Sequence, residues 1–195
     1  MSTRHSQPQE TPPAGDKDVR RLNWGCGGHP EPGWINSDSK EGPGIDLCCD
    51  IRDGLPLEEG SVDYVVSIHA LPEVPLPEQV PVLEELRRVL ADGGVLRLAL
   101  PDLDRGIRAY QSGDASYFLV SDDDARTLGG KFVTHMLWHG WTRTLFNADL
   151  IEELLGRAGF ARVRHCGFRE TASGIPDIVS LDNRERESLF VEAWK

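Results

Sequence analysis

The sequence Leu22-Asn23-Trp24-Gly25-Cys26-Gly27-Gly28, followed by Trp34-Ile35-Asn36-Ser37-Asp38, decides the fold of this chain. The first stretch is an apolar strand end that runs into a glycine turn, and the second is a short strand that ends on an acid. Because glycine has no side chain, a ligand can lie directly against its backbone. In an open parallel sheet, ligands bind beyond the carboxyl ends of the strands. There, Asp38 can accept hydrogen bonds from both hydroxyls of a ribose. The pattern predicts a site for a nucleoside-containing ligand, although an ordinary tight turn would contain the same glycines.

The glycine spacing does not fit the common dinucleotide fingerprint. A G-x-G-x-x-G motif that begins at Gly25 requires glycine at position 30, which is Pro30 here. The acid also comes earlier than the separation of about 20 residues in that fingerprint. There is no G-x-x-x-x-G-K-[ST] phosphate loop. These differences disfavour a nicotinamide-dependent oxidoreductase and favour a nucleoside ligand without a pyrophosphate.

Length, charge and cysteine usage limit the class of protein. A chain of 195 residues is expected to form one α/β domain. Its formal net charge of -11 disfavours general binding to nucleic acid or to anionic membranes. No apolar run is long enough to span a membrane, no signal peptide is recognised, and the four cysteines lack zinc-site spacing. We therefore expect a cytoplasmic protein with reduced thiols and no metal site.

The order of motifs resembles the class I S-adenosylmethionine (SAM)-dependent methyltransferases, most closely a small bacterial, type-11-like branch. The first motif of that branch reads L-N-x-G-C-G and the second reads P-G-W-x-N-x-D, as residues 22–27 and 32–38 do. The resemblance covers most of the chain from about residue 20 and continues through residues 50–51, 53–56, 60–67, 88–94, 100–103 and 147–160. It implies a single Rossmann-like, doubly wound and mostly parallel sheet with a terminal antiparallel strand. It also implies SAM as the cofactor and S-adenosylhomocysteine as its product.

The resemblance also implies which residues bind the cofactor. The expected set is Asn23, Gly25, Cys26, Gly27, Asp38, Asp50, Ile51, Ser67 and His69. Asp50 would accept a hydrogen bond from the adenine amino group, and Ile51 would pack on the ring. Asn23 occupies a position where many relatives have an acid that anchors the methionine amino group. A loop cap remains an alternative for Asp50, as does a structural hydrogen bond for His69.

Hydrophobic periodicity predicts the remaining elements. Beyond the first two strands, it predicts strands over 45–50, 62–68, 95–100, 161–168 and 188–194. It predicts helices over 78–90 and after the cap residue Asn147, and a polar, charged loop over 175–187. The polar, proline-containing residues 1–17 are expected to be a disordered tail, which leaves 18–195 as the methyltransferase domain.

Residues 104–143 are too many for a plain loop and predict a lid-like insertion with a short helix or two near the substrate. This stretch combines aromatic residues with His135 and His139, a mixture that is typical of small-molecule pockets. Because the two histidines are four apart, one helix face could present both. Either one is a candidate general base, since an unperturbed imidazole titrates near about pH 6.5. Simple core packing is the alternative for this stretch.

The predicted activity is methyl transfer from SAM to a small-molecule acceptor, and a homodimer is compatible with this prediction. Because the methyl group is bound to a positively charged sulfur, the enzyme must mainly hold the acceptor in line and exclude water. Such positioning can supply about 7–11 kcal/mol. The alternative function is a non-catalytic SAM-binding protein that serves as a regulatory or partner subunit.

The substitution Asp38→Ala should weaken cofactor binding. It removes two charge-assisted hydrogen bonds to the ribose, each worth about 1.5–3 kcal/mol. The affinity for S-adenosylhomocysteine should fall by about tenfold or more, as measured by calorimetry. Unchanged affinity in a folded variant would show that Asp38 does not hold the ribose.

Overall fold

The structure is a computed structural model that describes residues 19–195, so the predicted tail at 1–17 lies outside the described residues. Seven strands form one sheet: β1 (Arg21–Trp24), β2 (Ile35–Asp38), β3 (Leu47–Cys48), β4 (Val62–Ile68), β5 (Leu90–Pro101), β6 (Arg162–Cys166) and β7 (Ser188–Trp194). Their order is β3-β2-β1-β4-β5-β7-β6. The first five strands are parallel, and β7 is antiparallel to both β5 and β6. This arrangement confirms the predicted Rossmann-like, mostly parallel sheet with a terminal antiparallel strand.

The strand order places a crevice at the carboxyl ends of β1 and β4. After β1 the chain builds the sheet outward through β2 and β3, and it then returns to β4 on the other side of β1. Loops that leave β1 and β4 therefore diverge in opposite directions and leave a gap between them. Strand β5 is longer than predicted, because Leu90 already pairs with Val62 before the register shifts at the glycine turn. The added residues lie at its amino end, away from the crevice.

Two amphipathic helices cover one face of the sheet. Helix α1 spans Gln79–Val89 and the fourth helix, α4, spans Ala148–Arg157. The Asn147 side chain accepts a hydrogen bond from the Leu150 N–H (3.1 Å), which confirms the predicted cap. The apolar side chains of both helices join those of the strands in the main core, which includes Leu83, Leu86, Ile151 and Leu155. Burial of one stripe of each helix fixes both against the sheet.

A second, smaller hydrophobic core covers the opposite face of the sheet. Its core consists of Trp34, Tyr64, Val66, Val95 and Ile178, with the Trp34 and Tyr64 rings edge-to-face at 5.3 Å. Ile178 comes from a 3-10 helix at Pro176–Val179, inside the stretch that the sequence predicted to be a polar loop. Among residues 19–195, an irregular segment therefore covers this face of the sheet, and isolated apolar side chains such as Ile178 pack it against the strands.

Residues between β5 and α4 form a small unit above the crevice. Helix α2 spans Leu103–Ser112 and helix α3 spans Leu128–Leu137. A separate small core of Ala109, Tyr117, Phe118 and Val120 lies between them. The two predicted short helices are thus present, and α2 begins directly at the carboxyl end of β5.

Arg97 forms a fully buried polar cluster behind the sheet. Its side chain and those of Asp182 and Glu192 are all 0% exposed, and both carboxylates accept hydrogen bonds from its guanidinium. The carbonyl oxygens of Gly167 and Glu170 accept two more, so that all five guanidinium N–H groups have partners. Burial disfavours the charged guanidinium, but Asp182 and Glu192 outweigh burial and raise the pKa of Arg97. The cluster ties the loop between β6 and β7 to strand β5.

Two further observations concern the sequence expectations on membranes and thiols. Within residues 19–195, no helix is sufficiently long and apolar to cross a membrane. Cys26, Cys48, Cys49 and Cys166 are all free cysteines.

The substitution Arg97→Met should destabilise the fold strongly. It leaves two buried carboxylates without their cation, and breaking a buried ion pair in this way costs about 3–5 kcal/mol. The free energy of unfolding, measured in urea, should decrease by that amount. The matched control is Arg157→Met, because the Arg157–Glu153 pair is more than half exposed (61% and 66%). That substitution should change stability by less than about 1 kcal/mol. Equal effects in the two variants would contradict this interpretation.

Candidate active site

The crevice above β1 and β4 contains a cavity of about 530 Å³, here called the central cavity. The loops that follow β1, β2 and β4 line it, together with residues 50–52, Trp138 and residues 141–143. Predicted site residues that line it are Gly25, Cys26, Gly27, Asp38, Asp50, Ile51, His69 and His135. Chain segments far apart in the sequence therefore meet where the strand order opens the sheet.

The glycine loop after β1 is held by strand β2. The N–H groups of Gly25 and Cys26 both donate to the Ser37 carbonyl oxygen, at 2.8 and 3.1 Å. Gly25 and Gly27 have φ values of +66° and +54°, which side chains disfavour. A Cβ on Gly25 would lie 2.1 Å from the Cβ of Ala70, whereas a Cβ on Gly27 would meet no atom within 4 Å. Gly25 is thus required for packing, and Gly27 faces open space.

Asp38 joins the glycine loop to the end of β2. Its Oδ2 accepts a hydrogen bond from the Gly27 N–H (2.8 Å), and its Oδ1 accepts one from the Lys40 N–H (3.0 Å). Each carboxylate oxygen has a further lone pair, so the side chain can still accept hydrogen bonds from a ligand. The carboxylate is therefore fixed in position and faces the cavity.

Asn23 and Ser67 lie deeper than the other predicted residues. Asn23 is 4% exposed, and its amide nitrogen donates to the His29 carbonyl oxygen (3.2 Å) and to Asn36 Oδ1 (3.1 Å). It supports the glycine loop from below. Ser67 is 1% exposed and its Oγ has no hydrogen-bond partner among residues 19–195. It lies at the end of β4 but does not line the central cavity.

Asp50 has a structural partner inside the site. It caps the short helix at Ile51–Asp53 by accepting the Arg52 N–H, and its two oxygens pair with the Arg52 guanidinium at 2.9 and 3.0 Å. This hydrogen bonding with Arg52 lowers the pKa of Asp50. Ile51 is 6% exposed and belongs to the main core while also lining the cavity. Asp50 therefore acts as a cap, which was the alternative interpretation, and it also lines the central cavity.

His69 follows β4 in a left-handed conformation, with φ of +60°. Its Nε2 lies 2.7 Å from the Ser188 hydroxyl, so a structural hydrogen bond is present. Burial is the main reason that the pKa of His69 is lowered to about 3, and the nearby Arg184 and His135 side chains add to the effect. The imidazole is therefore neutral at physiological pH.

Residues 138–144, here called the covering segment, cross the central cavity. The Trp141 ring packs on the Lys40 ammonium group at 4.5 Å. The N–H groups of Arg143 and Thr144 both donate to the Pro72 carbonyl oxygen, at 2.8 and 3.1 Å. The segment is thus attached on both sides of the crevice, to the loop after β2 and to the loop after β4.

A second cavity of about 930 Å³, here called the outer cavity, adjoins the first. Residues 180–187 form one wall, and Tyr117 and Leu119 contribute to another. Asn23 also lines it. Residues common to both cavities are Gly25, Cys26, His29, Ile68, Arg184 and Glu187. The two cavities therefore meet beside the glycine loop.

The two predicted base candidates occupy different environments. His135 is 5% exposed, and burial is the main reason that its pKa is lowered. His139 is exposed and lines neither cavity. Helix α3 ends at Leu137, and Trp138 and His139 have φ values of +42° and +54°. The expectation that one helix face could present both histidines is wrong because the helix ends between them.

Glu187 and Arg184 are site residues that sequence reasoning missed. They belong to the stretch that was predicted to be a polar, charged loop, where their charges resemble those of any solvated turn. Instead Glu187 is only 6% exposed, and its Oε1 accepts a hydrogen bond from Arg184 (3.1 Å). A single sequence contains no signal for this burial, because the covering residues come from distant segments.

Comparisons with known proteins agree with this geometry. A family model described as a methyltransferase domain matches residues 26–98. A SAM-dependent methyltransferase of Thermotoga maritima is 17% identical with a TM-score of 0.55, over 90% of this chain and 82% of that one. A complex of the Haloferax volcanii Trm112 methyltransferase activator with its methyltransferase partner gives 15% identity and a TM-score of 0.54, over 92% and 83%.

A third solved structure includes the cofactor product. It is phosphoethanolamine N-methyltransferase 2 of Haemonchus contortus with phosphomonomethylethanolamine and S-adenosylhomocysteine. It is 14% identical with a TM-score of 0.52, over 93% of this chain and 50% of that one. A search of curated protein sequences found no match.

The fold of this chain thus matches the Rossmann-like methyltransferase fold. The methyltransferase-domain match over residues 26–98 and the SAM-dependent methyltransferases among the structural neighbours bear out the resemblance predicted from the motifs. The cofactor of this family is SAM, as predicted.

Substitutions at the two glycines should separate folding from ligand binding. Gly25→Ala should destabilise the protein, because its Cβ would collide with that of Ala70. Gly27→Val should leave the protein folded but abolish measurable binding of S-adenosylhomocysteine, because its side chain would enter the cavity. Thermal denaturation and calorimetry measure the two effects. Wild-type affinity in Gly27→Val would show that the glycine loop does not hold the cofactor.

Proposed function

We propose that this protein transfers the methyl group of SAM to a small-molecule acceptor. The observation that carries the proposal is the pair of joined cavities beside the glycine loop. The central cavity is lined by glycine backbone and the Asp38 carboxylate. The outer cavity is larger and meets the central cavity beside the glycine loop. A methyltransferase needs two such adjoining spaces, one for the cofactor and one for the acceptor.

The residues that line the central cavity fit a nucleoside-containing cofactor. Gly27 leaves open space where a side chain would otherwise stand, which suits close approach of a ligand to the backbone. Asp38 would bind the ribose hydroxyls, while Asp50 and Ile51 would hold the adenine. The remaining members of the proposed binding set are Asn23, Gly25, Cys26, Ser67 and His69. When bound, SAM supplies an electrophilic methyl group on a sulfonium.

The covering segment would exclude water from the site. It is attached to Lys40 on one side and to Pro72 on the other, across the central cavity. We propose that the insertion over residues 104–143 acts as the lid of the 18–195 domain. Holding the acceptor in line and away from water can supply about 7–11 kcal/mol of the barrier reduction.

A small acceptor fits the site better than a macromolecule. The outer cavity has a volume of about 930 Å³, within the range of small-molecule pockets, and the net charge of -11 opposes binding of nucleic acid. The cytoplasmic location and the homodimer stay predictions from the sequence, as does the base role of His135 or His139.

The experiment combines binding with transfer. Calorimetry should show that the purified protein binds S-adenosylhomocysteine but not NAD. Incubation with methyl-labelled SAM and a panel of small hydroxyl and amine metabolites should then yield a labelled product. Asp38→Ala should reduce both signals. The exposed Asp123→Ala is its matched control and should reduce neither.

Two outcomes would contradict the proposal. Binding of S-adenosylhomocysteine without transfer to any member of the panel would favour the non-catalytic SAM-binding subunit. Absence of S-adenosylhomocysteine binding in the folded protein would reject both functions.

A further inference from the structure

The side chain of Glu187 lies at the junction of the two cavities. Among residues 19–195, it is the only carboxylate that lines both of them. The other ionisable groups common to both cavities belong to Cys26, His29 and Arg184. Burial is the main reason that the Cys26 pKa is raised, so its thiol stays protonated, and His29 is exposed. Glu187 is therefore the buried acceptor of hydrogen bonds at this junction.

Three contacts fix Glu187 in place. Its carbonyl oxygen accepts the Asp102 N–H (2.8 Å), which ties its backbone to the end of β5. Oε1 pairs with the Arg184 guanidinium at 3.1 Å, and Oε2 lies 3.4 Å from Nε2 of His135. The carboxylate is thus contacted on both sides, and turning away from the junction would cost it the Arg184 ion pair.

The hydrogen bonding of His135 determines its role beside Glu187. Its Nδ1 accepts a hydrogen bond from the Leu119 N–H at 3.2 Å. A neutral imidazole has one acceptor nitrogen and one N–H, so this contact places the proton on Nε2, which faces Glu187. His135 therefore has no free lone pair with which to take a proton. Its Nε2 lies 3.4 Å from Oε2 of Glu187, so the imidazole packs against the carboxylate on the side that carries its proton.

His69, the other buried imidazole, is also unsuited to be the base. Its Nε2 is engaged by the Ser188 hydroxyl at 2.7 Å. It also lines only the central cavity and not the outer one, so it does not reach the space proposed for the acceptor. Glu187 is then the remaining buried group at the junction that can accept a proton.

We propose that Glu187 is a catalytic residue that receives the proton of the acceptor, and that His135 is a positioning residue that orients it. This inference rests on the proposed function and narrows its acceptor to a molecule whose nucleophilic oxygen or nitrogen carries a hydrogen. The acceptor O–H or N–H donates a hydrogen bond to Glu187, and its lone pair attacks the methyl carbon. A bond forms between that atom and the methyl carbon while the carbon–sulfur bond breaks. The electron pair of the broken bond passes to sulfur, which gives the neutral thioether, and the proton of the acceptor passes to the carboxylate.

The test uses the full-length protein, SAM and an acceptor found in the metabolite panel. Glu187→Gln keeps the shape of the side chain but cannot take the proton, so kcat should fall about a hundredfold or more. The Kd of S-adenosylhomocysteine, measured by calorimetry, should change by less than about threefold. Glu85→Gln is the matched control, because Glu85 forms a similar pair with Arg88 three residues away and lines neither cavity. Its kcat should equal that of the wild type.

Variants of His135 distinguish a positioning role from a base. Glutamine can accept the Leu119 N–H and donate to Glu187, but it cannot act as a base. His135→Gln should therefore keep kcat within a few-fold of wild type, whereas His135→Ala should lower kcat without changing the cofactor Kd. Loss of kcat in His135→Gln as large as in Glu187→Gln would overturn the proposal in favour of a histidine base.

The remaining outcomes are also decisive. Near-normal kcat in a folded Glu187→Gln would overturn the role of Glu187 but leave the proposed function intact. If Glu187→Gln does not fold, Glu187→Asp keeps the charge and withdraws it from the junction. Its kcat should then fall about ten- to hundredfold, and full activity would overturn the proposal. A wild-type protein that binds S-adenosylhomocysteine and methylates no acceptor would overturn the proposed function itself.

Discussion

The ion pair between Arg97 and Asp182 is the interaction on which the walls of the site depend. Strand β5 is central to the sheet, whereas the loop that forms the outer wall is polar and has little apolar surface with which to pack. The guanidinium and its two carboxylates attach this loop through buried hydrogen bonds, including bonds to its backbone. A buried ion pair contributes little net stability but is costly to break, so its main effect is to fix one position of the loop. The position of this loop in turn determines where Arg184 and Glu187 lie.

Burial controls the charges around the two cavities. It keeps His69 neutral and lowers the pKa of His135, although Glu187 opposes the latter effect. Glu187 instead forms an ion pair with Arg184. The Arg184 side chain is 34% exposed and can change its position when a molecule binds in the outer cavity. In the proposed methyl transfer, positive charge would move from the sulfur side to the acceptor side. A carboxylate at the junction favours that direction, and neutral imidazoles do not oppose it.

Local sequence patterns predicted the elements that surround the central cavity. The glycine turn, the acid at the end of β2 and the periodicity of α1 and α4 each lie within a short stretch of sequence, and the mostly parallel sheet was implied by the family resemblance. The acceptor side could not be predicted in the same way. Oε2 of Glu187 lies 3.4 Å from Nε2 of His135, a tertiary contact that no spacing in the sequence records. Helix α3 also ends before His139, because Trp138 and His139, which follow its last residue, adopt left-handed angles that periodicity does not reveal.

The same left-handed angles show where the fold holds strain. Among residues 19–195, the non-glycine residues with positive φ are His69, Trp138, His139 and Arg169. His69 and Trp138 line the central cavity, Arg169 lines the outer one, and His139 is adjacent to Trp138. Each such residue costs about 1–3 kcal/mol, so it persists only where surrounding contacts determine it. The Ser188 hydroxyl holds the His69 side chain, and the Asp182 carboxylate holds the Arg169 backbone N–H at 2.9 Å. Asp182 is itself fixed by Arg97, so the buried cluster behind the sheet also offsets strain at the rim of the outer cavity.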